Sequence, residues 1–107
     1  MSFRPITKKE FDGLGLLDGC RALWSRTEET EWYADASGAT LGVILLNNET
    51  GYWGYVMCAK DASGEFARRG VGSDFTSVAM ARTDLAASMG RHHGALGGAG
   101  DRGANSA

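Results

Sequence analysis

Three short polar segments, each closing on a glycine, cut the middle of this chain into strand-length pieces. They are Asp35-Ala36-Ser37-Gly38, Asn47-Asn48-Glu49-Thr50-Gly51 and Asp61-Ala62-Ser63-Gly64. Asp, Asn and Ser bond to backbone amides a residue or two ahead, and glycine takes the left-handed position that closes a hairpin loop. The pieces between them are rich in aromatic and β-branched residues. Thr30–Ala34 holds Trp32 and Tyr33, and Thr40–Leu46 holds Leu41, Val43, Ile44 and Leu45. Tyr52–Lys60 is aromatic and apolar, and Phe66–Val71 closes the series. Loops this short join antiparallel neighbours, so the sequence predicts a four-stranded antiparallel meander. Asp-Ala-Ser-Gly occurs twice, but the segments flanking the two copies do not match. Shared turn chemistry accounts for it better than an internal repeat.

Helices are expected at both ends. Thr7-Lys8-Lys9-Glu10 has the spacing of a capping box, with Ile6 and Phe11 placed as its hydrophobic staple. A short helix over 8–12 follows, stopped by Gly13 and Gly15. Residues 14–24 are expected to return leucines and Trp24 to the core. Thr76 is the expected N-cap of a second helix over 77–89, with Gly90 at its end. On it Val78, Leu85, Ala86 and Met89 recur at helical spacing, so it should lie across one face of the sheet. Arg82 interrupts the stripe, its stem on the core edge and its head in water. Residues 91–107, with glycines at 94, 97, 98, 100 and 103, have little to bury and read as a flexible tail. The expected fold is therefore α+β, a single domain over 1–90 followed by a Gly-rich tail.

Composition narrows the function classes. With 11 basic against 13 acidic residues, the net charge of −2 disfavours a dedicated nucleic-acid binder. The longest apolar run, Leu41–Leu46, is far short of the roughly 20 residues that span a bilayer. The opening Met1-Ser2-Phe3-Arg4-Pro5 runs into polar residues without a secretory signal, which points to the cytoplasm. Cys20 and Cys58 have no partner at metal-ligand spacing, and both are expected to be reduced and buried. His92 and His93 are adjacent in the tail, unsuited to a metal clamp or a nucleophilic triad. Gly70-Val71-Gly72-Ser73-Asp74-Phe75 leads from strand to helix but lacks the glycine and lysine positions of nucleotide loops. Neither metal nor cofactor is expected.

Partner-binding candidates remain. Glu28, Glu29, Glu31 and Asp35 cluster around the first strand, where alternation puts Glu31, Tyr33 and Asp35 on one face. Such a strand also suits a sheet edge, where charge discourages aggregation. Trp53 and Tyr55 share a face of the third strand, and Arg68 and Arg69 mark the fourth. The second and third strands are apolar on both sides, unlike a sheet with one solvated face. One C-terminal helix covers one face. The other needs the N-terminal helix with residues 14–24, a second copy of the chain, or a partner. Glu31, Tyr33, Asp35, Trp53, Tyr55, Arg68 and Arg69 are the expected contact residues.

Four motifs carry a resemblance: Glu31-Trp32-Tyr33-Ala34-Asp35, Gly51-Tyr52-Trp53-Gly54-Tyr55-Val56, Asp61 to Arg68, and the helix after Thr76. On these the chain resembles a group of small uncharacterised bacterial proteins. That group shares a Trp-Tyr/Phe strand, a Trp-x-Tyr-Val strand, an Asp-x-x-Gly-x-Phe hairpin and an Ala/Leu-rich last helix. The motifs are structural and bring no catalytic residues with them. The functional expectation is a non-catalytic protein-binding module, such as a small inhibitor or accessory protein of a bacterial mobile element acting against defence systems. The competing expectations are a structural homodimer through the sheet face, a weak nucleic-acid-contacting accessory protein, and a carboxylate enzyme using Glu31 and Asp35.

Overall fold

The computed structural model describes residues 3–14 and 26–97, and centres on one antiparallel sheet of five strands in sequential order. The strands are β1 (Phe3–Ile6), β2 (Thr27–Asp35), β3 (Thr40–Asn47), β4 (Trp53–Lys60) and β5 (Phe66–Phe75). Helix α1 (Lys8–Gly13) follows β1, and helix α2 (Val78–Gly97) follows β5. The meander is as expected except for its count. The additional strand, β1, pairs with β2 from Phe3↔Asp35 to Ile6↔Trp32. It is only four residues long, contains Pro5 and runs straight into a helix cap, so it has no strand signature of its own. Proline is tolerated there because an edge strand has a side with no ladder to donate to.

The turn chemistry is realised twice in the same form. Asp35 Oδ1 accepts from Ser37 Oγ and the Ala39 amide, and Gly38 closes the turn at φ 75°. Asp61 Oδ1 accepts from Ser63 Oγ and the Glu65 amide, and Gly64 closes at φ 87°. The capping box is also complete: Thr7 Oγ1 accepts from the Glu10 amide at 3.0 Å, and Glu10 Oε1 accepts from the Thr7 amide at 3.1 Å. That bond to the Thr7 amide is the main reason the Glu10 carboxyl titrates below its usual range.

Three boundaries around α2 differ from expectation. Ser77, not Thr76, caps α2, its Oγ accepting from the Met80 amide at 3.2 Å. Gly70 to Phe75 belongs to β5 and is not a connection to the helix. The glycines there make room: a Cβ on Gly70 would stand 2.9 Å from Ser88 Oγ, and one on Gly72 would stand 2.3 Å from Tyr55 Cε2. Helix α2 does not stop at Gly90 but continues to Gly97, carrying the backbone of His92 and His93. One helical glycine costs only about 1 kcal/mol relative to alanine, and Leu85, Ser88 and Met89 anchor the turns before it. The connecting segment expected over 14–24 lies, apart from Leu14, outside the described residues, as do Cys20 and the end of the chain from 98.

The sheet has a core on each face. Ile44, Tyr55 and Met57 pack with Ala81, Leu85 and Met89 of α2. On the other side Leu41, Val43, Leu45 and Val56 pack with Ile6 and with Phe11 of α1. All four of these sheet residues are at most 1% exposed within a single chain. These four side chains are thus covered within the chain itself. Each such side chain contributes about 1.5–3 kcal/mol on burial. Cys58 belongs to this core and is disulfide-bonded, contrary to the reduced thiol expected. Disulfides persist in oxidising compartments and are rare in the cytosol, so this bond does not favour the cytoplasmic placement drawn from composition.

Candidate functional site: the flanks of helix α2

Helix α2 packs along β3, β4 and β5 and leaves β1 and β2 largely beside it. Its residues sort by helical spacing. Ala81 and Leu85 are buried along the middle, at 0% and 2% exposure. Arg82, Ala86 and Met89 follow one another at i, i+4 and i+7 toward β2, while Asp84, Ser88 and Arg91 do the same toward β5.

Toward β2 the helix and sheet form a groove of 270 Å³ lined by Phe3, Tyr33, Arg82, Leu85, Ala86 and Met89. Its polar border is closed on itself. Arg82 Nε donates to Glu31 Oε1 at 2.7 Å, and a second guanidinium nitrogen donates to Glu31 Oε2. Tyr33 Oη donates to the same Oε1 at 2.7 Å. The Arg82 hydrogen bonds hold the Glu31 carboxyl below its usual range, with Tyr33 adding to the effect against partial burial. Glu31 in turn raises the Arg82 guanidinium, and burial followed by the bond to Glu31 raises the Tyr33 phenol. Both oxygens of Glu31 are thus occupied, and the groove presents an apolar floor behind a neutralised rim.

The sequence-derived contact residues do not form one patch. Glu31 and Tyr33 meet at this groove, joined by Arg82, whose head is paired and not simply hydrated. Asp35 is buried at 3% exposure and its carboxylate is turned into its own loop, accepting from Ser37, Ala39 and Thr40. Trp53 is half-buried and packs against the α2-side core. Tyr55 is a core residue at 3% exposure, stacked on Phe75 with ring centroids 6.1 Å apart. Its Oη donates to Asp84 Oδ2 at 2.6 Å; burial first, and then this bond, push the phenol up to about 12. Arg68 and Arg69 are exposed on the edge strand β5. Tyr55 and Arg69 meet again at a separate pocket on the β5 flank.

Phe3, Arg82, Leu85, Ala86 and Met89 are the groove residues missing from that set. Arg82 carried a legible signal, a cation set into an apolar helical stripe in a chain whose first long strand is acidic on one face. Phe3 carried none, because its strand was not recognised. Among the described residues no three His, Cys, Asp or Glu side chains gather as a metal-binding group, and no described helix is long and apolar enough to cross a membrane. No protein-family model, curated protein or solved structure matches the chain.

Proposed function

We propose that this chain is a non-catalytic protein-binding module whose contact surface is the groove between α2 and the β1–β2 side of the sheet. The observation that carries this reading is the closed rim: Arg82, Glu31 and Tyr33 satisfy one another. What remains on offer is the half-buried Phe3 and the exposed Ala86 above the buried Leu85 and Met89, a small apolar recess that suits one anchor side chain from another protein. Binding energy at protein interfaces concentrates in such anchors seated in desolvated pockets. A groove used this way suits a small inhibitor or accessory protein, which acts by occupying a partner's surface and needs no chemistry of its own.

Ala86→Arg tests this reading. Ala86 is exposed on the helix, so the substitution keeps the fold while laying a long cationic side chain across the recess. The wild-type chain, cross-linked in lysate of its native host, should capture a protein that binds the purified wild-type chain directly and Ala86→Arg at least tenfold more weakly. Equal affinity of that protein for both forms would overturn the proposal.

A further inference from the structure

On the β5 flank of α2 two arginines, Arg69 and Arg91, make no direct ion pair among the described residues. Arg69 and Arg91 line a shallow pocket of 370 Å³ with Tyr55, Gly70 and Ser88. Elsewhere Arg4 pairs with Glu10, Lys8 with Asp12, Arg26 with Glu49 and Arg82 with Glu31. Among the described residues neither Arg69 nor Arg91 has an ion-pair partner. Carboxylates are present nearby, but they are engaged. Asp84 accepts the Tyr55 hydroxyl, and Asp61, which feels Arg69 only weakly, is held by Ser63 and the Glu65 amide. Arg69 and Arg91 therefore line one recess with no carboxylate paired directly to either among the described residues. The recess has a polar wall as well: Ser88 is 8% exposed, close enough to Gly70 that a Cβ there would touch its hydroxyl, which also stands within hydrogen-bonding reach of the Tyr55 phenol and would turn from it to an anion. Ser88 and Arg91 stand three residues apart, on one side of the helix.

We propose that this pocket binds a doubly charged oxyanion, inorganic phosphate or a phosphate monoester, between the Arg69 and Arg91 guanidinium groups with the Ser88 hydroxyl as a third donor. The match is chemical. Guanidinium forks donate paired N–H groups to phosphate oxygens and remain charged at every working pH. Two fixed positive charges balance a dianion, the form a phosphate monoester takes above its second pKa of about 6. A nucleic-acid strand is a poorer fit. It would need a line of cations, whereas β5 is broken by two register shifts and the chain is acidic overall.

The test is an amide NMR titration of the full chain with inorganic phosphate at about pH 8, where phosphate is a dianion. Ionic strength is held constant with chloride. Saturable shifts are expected at Gly70 and Ser88, and Arg69→Gln and Arg91→Gln should each weaken phosphate about tenfold. Arg68→Gln, one residue away but not lining the pocket, should leave the affinity unchanged. A parallel titration with adenosine monophosphate identifies the source: tighter binding than phosphate assigns a monoester, equal binding assigns the free anion. Non-saturating shifts, the same shifts with chloride alone, or an affinity unchanged in both arginine variants would overturn the proposal. So would a single-stranded oligonucleotide that binds at the same amides while phosphate does not.

Discussion

The two flanks of helix α2 use the same kinds of side chain and reach opposite electrostatic states. Toward β2, a tyrosine and an arginine converge on one carboxylate, so cation, anion and hydroxyl close into a single cluster around Glu31. Toward β5, a tyrosine takes Asp84 for itself, and the two arginines nearby are left facing a recess. The burial of the tyrosine separates the two arrangements. Tyr55 lies beneath the helix at 3% exposure, so its hydroxyl reaches a carboxylate that points inward. Tyr33 is only half-buried and meets Glu31 at the rim, where Arg82 can reach the same group. An arginine answered at the surface makes a neutral border suited to an apolar contact. Arginines left unanswered make a basin suited to an anion.

The largest test of this comparison is the residue that seats the helix in the core beside Tyr55. Leu85 is 2% exposed and lies between them, so Leu85→Ala should cost about 2–5 kcal/mol in chemical denaturation. Amide shifts should spread to both Tyr33 and Tyr55. Changes confined to one side would show that the flanks are independent of the helix seat. Gly72→Ala should come next, at about 1–3 kcal/mol, the usual range for overpacking. The new methyl would stand 2.3 Å from Tyr55 Cε2, and the ring is pinned by Phe75 and Asp84. The disturbance should stay on the β5 flank. Shifts of equal size at Tyr33 would break the distinction.

How much of this was legible in the sequence depends on the range of the interaction. The turns, the capping box and the alternation of Glu31, Tyr33 and Asp35 were readable because each is decided within about five residues. Strand β1 was not, since Phe3-Arg4-Pro5-Ile6 becomes a strand only by pairing with Trp32 to Asp35. The glycines of β5 misled for a related reason. Gly70 and Gly72 resemble loop punctuation locally, but their role is to admit Ser88 and the Tyr55 ring. Tyr55 was named as a surface residue because its strand face was known while the helix position over it was not. The pairing of Arg82 with Glu31 spans 51 residues, beyond any local pattern. Cys58 reads as a reduced, buried thiol because nothing close to it in the sequence pairs with it, and its disulfide is a tertiary fact.

A smaller test removes one hydroxyl from each flank. Tyr55→Phe should cost about 1–2 kcal/mol, because it takes away a charge-assisted bond and leaves a part-buried carboxylate without that donor. Tyr33→Phe should cost about 0.5 kcal/mol, because Glu31 keeps Arg82 and water reaches the rim. The same asymmetry appears in alkali. The folded Tyr55 phenol titrates near 12 against an ordinary value of 10.0. The folded state therefore holds its proton longer than the unfolded state. The stability linked to it is fully present below about pH 10 and is lost as pH rises through about 12. Tyr55→Phe should flatten that limb of the stability–pH curve. An unchanged limb would mean that the phenol is not the group responsible.

The smallest effect lies at the other end of the pH scale and belongs to the β2 flank. Glu31 has its carboxyl pKa lowered in the fold, chiefly by Arg82, from an ordinary value of 4.5. A carboxylate favoured in this way stabilises the fold above its unfolded pKa, and that contribution is lost as pH falls through the lower, folded value. The Arg82 side chain is 47% exposed, so solvent screens the pair and the loss should be under about 0.5 kcal/mol. Glu31→Gln should lower stability slightly at neutral pH and make the curve flatter below pH 4.5. The β5 flank should not respond there, its amide shifts around Tyr55 staying fixed while those around Tyr33 move. An acid limb of the same depth in Glu31→Gln would place the titrating group elsewhere and dissolve the contrast between the two sides of the helix.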